Sequence, residues 1–241
     1  MALSKITTES LLDGEITLPK LSSGTDGNII SYDASGNPVA IATGNDGQVL
    51  TSTGAGSPPA FETPAAGGSW NLIATAVASS SASLTITGLN STYDTYAVAL
   101  SAIVPSGDNN IYLRLGDSSG IDSGSTDYQH HIASGQSSAD SVSGNSSAPS
   151  GLSYIPLSMG NVGSATGEGM GAMLYIHNPS DSTEYTMISG TYNAVNDNGN
   201  TRGGWVNGHR ASVISHDRVQ IYPQSGTFDS GRLTVWGIAH A

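Results

Sequence analysis

From residue 70 onward, apolar and polar residues alternate in short runs broken by glycine, serine, asparagine and proline. Ile111, Leu113 and Leu115 fall on one side of an extended segment, with Tyr112 and Arg114 on the other. Val219 and Ile221 alternate with Arg218 and Gln220, and Leu84 and Ile86 with Thr85 and Thr87. A period of two puts successive side chains on opposite faces of a strand. The pattern predicts strands over residues 70–77, 82–88, 93–104, 110–116, 127–133, 151–158, 169–177, 184–193, 203–207, 210–216, 218–223 and 231–239. No stretch carries a convincing helical period. Short strands joined by polar connections predict an all-β fold, an antiparallel β-sandwich or jelly-roll-like domain over residues 70–241. Two long loops are expected, at 117–126 and 134–150. The second is too rich in serine and glycine to offset its ordering entropy by burial, so it is either mobile or packed against a neighbour.

Before residue 70 the texture differs. Gly24-Thr25-Asp26-Gly27-Asn28-Ile29-Ile30-Ser31 returns twenty residues later as Gly44-Asn45-Asp46-Gly47-Gln48-Val49-Leu50-Thr51, and Gly36, Pro38 and Ala40 return as Gly56, Pro58 and Ala60. Each copy reads as a turn, a short apolar strand and a Gly/Pro turn. Its large apolar residues are few: Ile29, Ile30 and Val39 in the first copy, Val49, Leu50 and Phe61 in the second. A unit this small does not bury them alone, so the repeat points to stacking along an axis with sister chains supplying the missing core. A low-complexity tail is the alternative. Residues 1–22 form a leading segment whose Ile6, Leu11, Leu12, Ile16, Leu18 and Leu21 are too many apolar residues for free solvent. Residues 63–69 read as a flexible joint, so the expected domains are 1–22, 23–69 and 70–241.

Composition sharpens this picture. The 241 residues include 31 glycines, serine makes up roughly one residue in six, and charged residues only 11%, a mixture that favours turns and strands over helices. There is no cysteine, so neither a disulfide nor a thiolate site is available. The net charge of −12 repels nucleic-acid backbones and argues against nucleic-acid binding. The first residues, Met1-Ala2-Leu3-Ser4-Lys5, lack a basic-then-apolar signal, and no apolar run reaches the length of a membrane span. A product made in the cytoplasm, without membrane insertion, is expected.

Candidate chemistry is sparse. Gly116-Asp117-Ser118-Ser119-Gly120 fits the Gly-x-Ser-x-Gly nucleophile pattern, but that motif needs a strand turning into a helix, and Ile121-Asp122-Ser123-Gly124-Ser125 does not make one. Adjacent His130 and His131 point to opposite faces of a strand, and His209 and His216 lack partners at metal-ligand spacing. Residues 193–200 look like a calcium loop without its acidic ligands and read better as a hairpin. No cofactor, metal or catalytic residue is assigned. Sugar recognition needs an aromatic face and planar polar groups. Arg202, Trp205, Asn207 and His209 supply these on one stretch, with Tyr192 nearby, and are the candidate ligand contacts. Trp70 and Trp236 are expected in the core.

The repeat, the leader and the joint together resemble bacteriophage fibre proteins. Asp13-Gly14-Glu15-Ile16-Thr17 with Lys20-Leu21 is similar to N-terminal segments of phage tail-fibre-like proteins. Gly47-Gln48-Val49-Leu50-Thr51-Ser52 followed by Gly54-Ala55-Gly56-Ser57-Pro58-Pro59-Ala60-Phe61 resembles a widespread phage fibre repeat. The ending from Ser230 to Ile238 resembles the closing strand of β-rich tip domains. The resemblance implies a homotrimeric virion protein with no enzymatic activity. Its leader (Ile6, Leu11, Leu12, Ile16, Leu18 and Leu21) would attach to another virion protein of tail or capsid. The repeats would form a shaft cored by Ile29, Ile30, Val39, Val49, Leu50 and Phe61, and the tip would adhere to a host surface glycan or protein. A capsid-borne head fibre or decoration is the alternative. A polysaccharide depolymerase is a third reading, for which no pair of acids in a cleft stands out.

Overall fold

The computed structural model describes residues 24–64, 69–146 and 151–239, and the chain divides into two units, residues 1–67 and 68–241. Leader residues Ile6, Leu11, Leu12, Ile16, Leu18 and Leu21 lie outside the described residues, as do residues 65–68 of the joint.

In the first unit each copy of the repeat is a hairpin: β1 (Ile29–Tyr32) pairs antiparallel with β2 (Pro38–Ile41), and β3 (Val49–Thr51) with β4 (Ala60–Glu62). The second strand of each copy replaces part of the expected Gly/Pro turn. Turn chemistry closes the first hairpin. Asp33 Oδ1 accepts the N–H groups of Ser35 and Asn37, both at 2.9 Å, and Gly36 adopts a φ of 80° that glycine alone takes without strain.

The two hairpins do not share a register. Ser31 pairs with Val39, yet the equivalent Thr51 pairs with Ala60 and not with Pro59. Proline has no N–H to give a ladder, so Pro59, standing where the first copy has Val39, pushes the pairing along by one residue. A one-residue slip changes which side chains share a face. Ile29, Val39 and Ile41 therefore share a face in the first hairpin, whereas Leu50 and Phe61 share one in the second. Phe61 lies directly on Gly44, where an added Cβ would come within 2.6 Å of the Phe61 Cβ. Ile29, Ile30, Tyr32, Val49 and Leu50 all remain exposed.

The second unit is all-β. Its strands are β5 (Trp70–Val77), β6 (Leu84–Thr87), β7 (Thr95–Pro105), β8 (Ile111–Asp117), β9 (Gly120–Ile121), β10 (Tyr128–Gln136), β11 (Ala139–Ser146), β12 (Ile155–Pro156), β13 (Gly169–His177), β14 (Met187–Val195), β15 (Thr201–Arg210), β16 (Arg218–Pro223) and β17 (Phe228–Ile238). An eight-stranded antiparallel sheet runs β11-β10-β15-β14-β13-β7-β17-β5, and a smaller one runs β12-β8-β16-β6 with β9 paired to β8. The alternation read from the sequence decides which side of each strand is buried. Val98, Leu174, Ile188, Val206 and Val235 of the large sheet join one core with Leu84, Ile111, Leu113, Val219 and Ile221 of the small one. The result is a β-sandwich-like packing of two antiparallel sheets.

Four local expectations change. Residues 134–146 are not a loop: β10 extends to Gln136 and β11 returns beside it as an edge strand. Serine and glycine suffice there because the ladder to β10 supplies the backbone hydrogen bonds. Residues 151–158 yield only the two-residue β12, and 210–216 is not a strand, because β15 runs unbroken from Thr201 to Arg210. Trp70 and Trp236 stand on the outer side of the large sheet with ring centroids 5.8 Å apart, not in the core. Val235 and Gly237 take the inner positions beside Trp236, and the Tyr93 ring fills the space a Cβ on Gly237 would occupy.

Candidate functional site

The outer face of the large sheet carries the chemistry. Along β15, Trp205, Asn207 and His209 project to this side, as alternate residues of a strand must. Register then fixes their neighbours. Asn207 lies between His131 of β10 and Ser189 of β14, and His209 between Gln129 and Met187, with His177 of β13 beyond Met187. These side chains surround a shallow depression of about 550 Å³. Trp205 and Met187 are about half exposed, at 47% and 50%.

Several of these groups are held in place. His177 Nε2 lies 3.1 Å from Ser189 Oγ and its Nδ1 lies 3.3 Å from Thr95 Oγ1. The Tyr185 ring leans over the His209 ring at 5.3 Å. The Tyr175 ring stacks beside His177 at 6.4 Å and meets Trp70 edge-on at 6.4 Å, which continues the aromatic surface toward β17 and β5.

The sequence-derived contacts thus split by strand parity. Trp205, Asn207 and His209 come together on the open face, while Tyr192 and Arg202 do not join them. Tyr192 is buried on the inner side, where its hydroxyl accepts the Met159 N–H at 3.1 Å. The Arg202 guanidinium donates to Gln136 Oε1, from Nε at 3.0 Å, and to the Met159 carbonyl. Gln129, His131, His177 and Met187 were not anticipated as parts of the site. Alternation gives their faces, but only the strand order brings them beside Asn207 and His209.

A second constellation has the order of a catalytic triad without its access. His216 Nδ1 lies 2.9 Å from Thr186 Oγ1, and its Nε2 lies 3.3 Å from Asp122 Oδ2, which also accepts from Arg210 Nε at 2.8 Å. Thr186 is 0% exposed and His216 1%, so no substrate reaches the hydroxyl. Burial holds the His216 imidazole below its ordinary pKa, against the opposing pull of Asp122. This is an interior polar network, completed by Arg210 Nη2 on Asp127 Oδ1 at 3.0 Å.

The remaining motifs resolve into turns. The Gly-x-Ser-x-Gly segment is the tight hairpin from β8 to β9, with Asp117 Oδ1 accepting the Ser119 N–H and hydroxyl. Residues 196–200 form the β14–β15 hairpin loop, in which Asn196 Oδ1 accepts the N–H groups of Asn198 and Asn200. Among the described residues, no three of His, Asp and Glu gather where they could hold a metal ion, and no helix is long and apolar enough to cross a membrane. Comparison of the chain with protein families, curated proteins and solved structures finds no match.

Proposed function

We propose that this chain is a homotrimeric structural protein of a bacteriophage particle, a short fibre whose hairpin repeats form a shaft and whose sandwich adheres to the host cell surface. The observation that carries this reading is the pair of hairpins that leave Ile29, Ile30, Tyr32, Val49 and Leu50 exposed in a single chain. Two hairpins of three- and four-residue strands are too small to be stable alone, and exposed strand edges and apolar faces are both satisfied when identical chains associate about an axis. The open aromatic face of the large sheet, with Trp205, Asn207 and His209, is the surface offered to a host glycan. No cofactor takes part.

The test begins with the mass of the intact chain in dilute solution, by light scattering. About 73 kDa, three times 24.4 kDa, is expected. A stable 24.4 kDa monomer overturns the fibre reading. Antibody labelling of phage particles then places the protein. Label on the tail supports the host-adhesion fibre, and label on the capsid shell replaces it with a capsid-borne appendage.

A further inference from the structure

We infer that β5, with the strip of apolar side chains it shares with β17, is the seam along which the sandwiches of sister chains pack on one another. The inference rests on the trimer reading above and names the part of the sandwich that takes part in it.

Its first support is an edge without protection. β5 is the last strand of the large sheet and pairs only with β17. Its eight residues, Trp-Asn-Leu-Ile-Ala-Thr-Ala-Val, include no charge, no proline and no glycine. A strand edge rich in β-formers and bare of charge is a template on which another chain adds, and natural proteins shorten, charge or cover such edges. The other sheet ends of this unit are managed. The sequence of β11 includes Asp140, β9 and β12 have two residues each, and β6 has four, with Thr85 and Thr87 outward. β5 has only an extra residue, Ile73, between Leu72 opposite Trp236 and Ala74 opposite Val235. Such a bulge bends the strand and adds no charge.

The second support is where apolar side chains stay open. Among the described residues, Leu72 and Val77 are each 62% exposed and Trp70 42%, while no strand of the small sheet carries an exposed large apolar residue. Register sets Trp70 beside Ile238 and Leu72 beside Trp236, and the Trp70 and Trp236 rings lie together, so the strip continues from β5 onto β17. Contiguous exposed apolar surface marks a contact with another molecule. β7 stands between this strip and the strands that line the depression, so the seam does not use the candidate ligand face.

Charge and chain order say which molecule. With a net charge of −12, copies of this chain repel one another wherever their acids meet. β5 has no acid, Asp229 of β17 lies outside the segment paired with it, and the one charged residue in register with it is Arg232, opposite Val77. A sister chain meets no like charge along this register, and its acids are attracted by Arg232. In chain order only residues 63–69 separate β4 from β5. A linker that short holds tethered modules at a high effective concentration for one another. Chains joined through their hairpins thus need only a weak contact at β5 for it to form.

The test puts single cysteines into the intact chain, which has none of its own. Light scattering comes first, and a monomer overturns the fibre reading and this inference with it. In a trimer, Leu72→Cys and Val77→Cys are each treated with a short bis-maleimide, with Thr87→Cys on β6 as the control. Covalent pairs of about 49 kDa, twice 24.4 kDa, are expected from at least one of the β5 positions. They should form roughly tenfold faster there than at Thr87→Cys. A trimer that cross-links no faster at either β5 position than at the control overturns the seam and leaves the trimer standing. So does a trimer in which Leu72→Cys forms no pairs yet resists a monofunctional maleimide, because a segment of the same chain then covers the edge.

Discussion

At the scale of single residues, backbone strain and buried imidazoles make the sharpest statements. Ala102 adopts a φ of 50° within β7, where the ladder to β13 and β17 is irregular. A non-glycine residue in that region is strained, so Ala102→Gly is expected to stabilise the sandwich by up to about 1 kcal/mol, read from urea unfolding; a destabilised variant refutes the point. His216 and His130 are both held below the ordinary imidazole pKa, chiefly by burial, with Asp122 opposing at His216 and Asn145 at His130. The unfolded chain therefore takes up these protons first. Stability from these groups is complete above about pH 6.5 and declines as the pH falls through the lowered folded values. Melting temperature measured from about pH 8 to about pH 5 should fall on the acid side, and His216→Gln should shallow that slope; a flat profile counts against it. Parity also explains what the sequence made readable in the site. Trp205, Asn207 and His209 are spaced by two and share a face on any straight strand. Arg202 has the other parity, and Tyr192 pairs with Gly204, an inner position.

Among elements, alternation located most of the sandwich strands, because a half-buried strand writes its inner face into the sequence every second residue. It failed where no inner face exists to be written. β11 is an edge strand of eight residues, five of them Ser, Gly or Asn, held by main-chain bonds that leave no compositional trace. Composition also hid the long β15, whose glycines look like turns. Gly190, Gly204 and Gly208 are there because strands or side chains come too close for a Cβ; at Gly204 it would lie 1.8 Å from the Ala133 carbonyl oxygen. In the hairpins, the twenty-residue repeat was plain but the register was not, since one proline sets it. Pro59→Val restores the missing donor and is expected to return the second hairpin to the first one's pairing, Thr51 opposite residue 59. Cross-strand nuclear Overhauser contacts of the intact chain decide this, and persistence of the Thr51–Ala60 pair refutes it.

For the whole molecule, fold class follows from the sequence and assembly does not. Strand periodicity, the absence of helix-favouring composition and the turn residues together specify two packed antiparallel sheets. Which surfaces meet other molecules depends on apolar residues left over after folding, and those become visible only once the inner faces are known. The exposed Ile30 and Leu50 are such residues. The double variant Ile30→Asp, Leu50→Asp is expected to shift the intact chain from the proposed trimer to monomer in light scattering while the sandwich keeps its melting temperature. A trimer that survives both charges would place the association elsewhere in the chain.

The register slip at Pro59 has a consequence for the length of the proposed shaft. Because the cross-strand pairing shifts by one residue between the two hairpins, duplicating a single copy sets two like registers in tandem and breaks the alternation. Copying the pair preserves it. Natural length variants of this architecture should therefore differ by about forty residues, not twenty, and a designed spacer that respects that interval is the one to build.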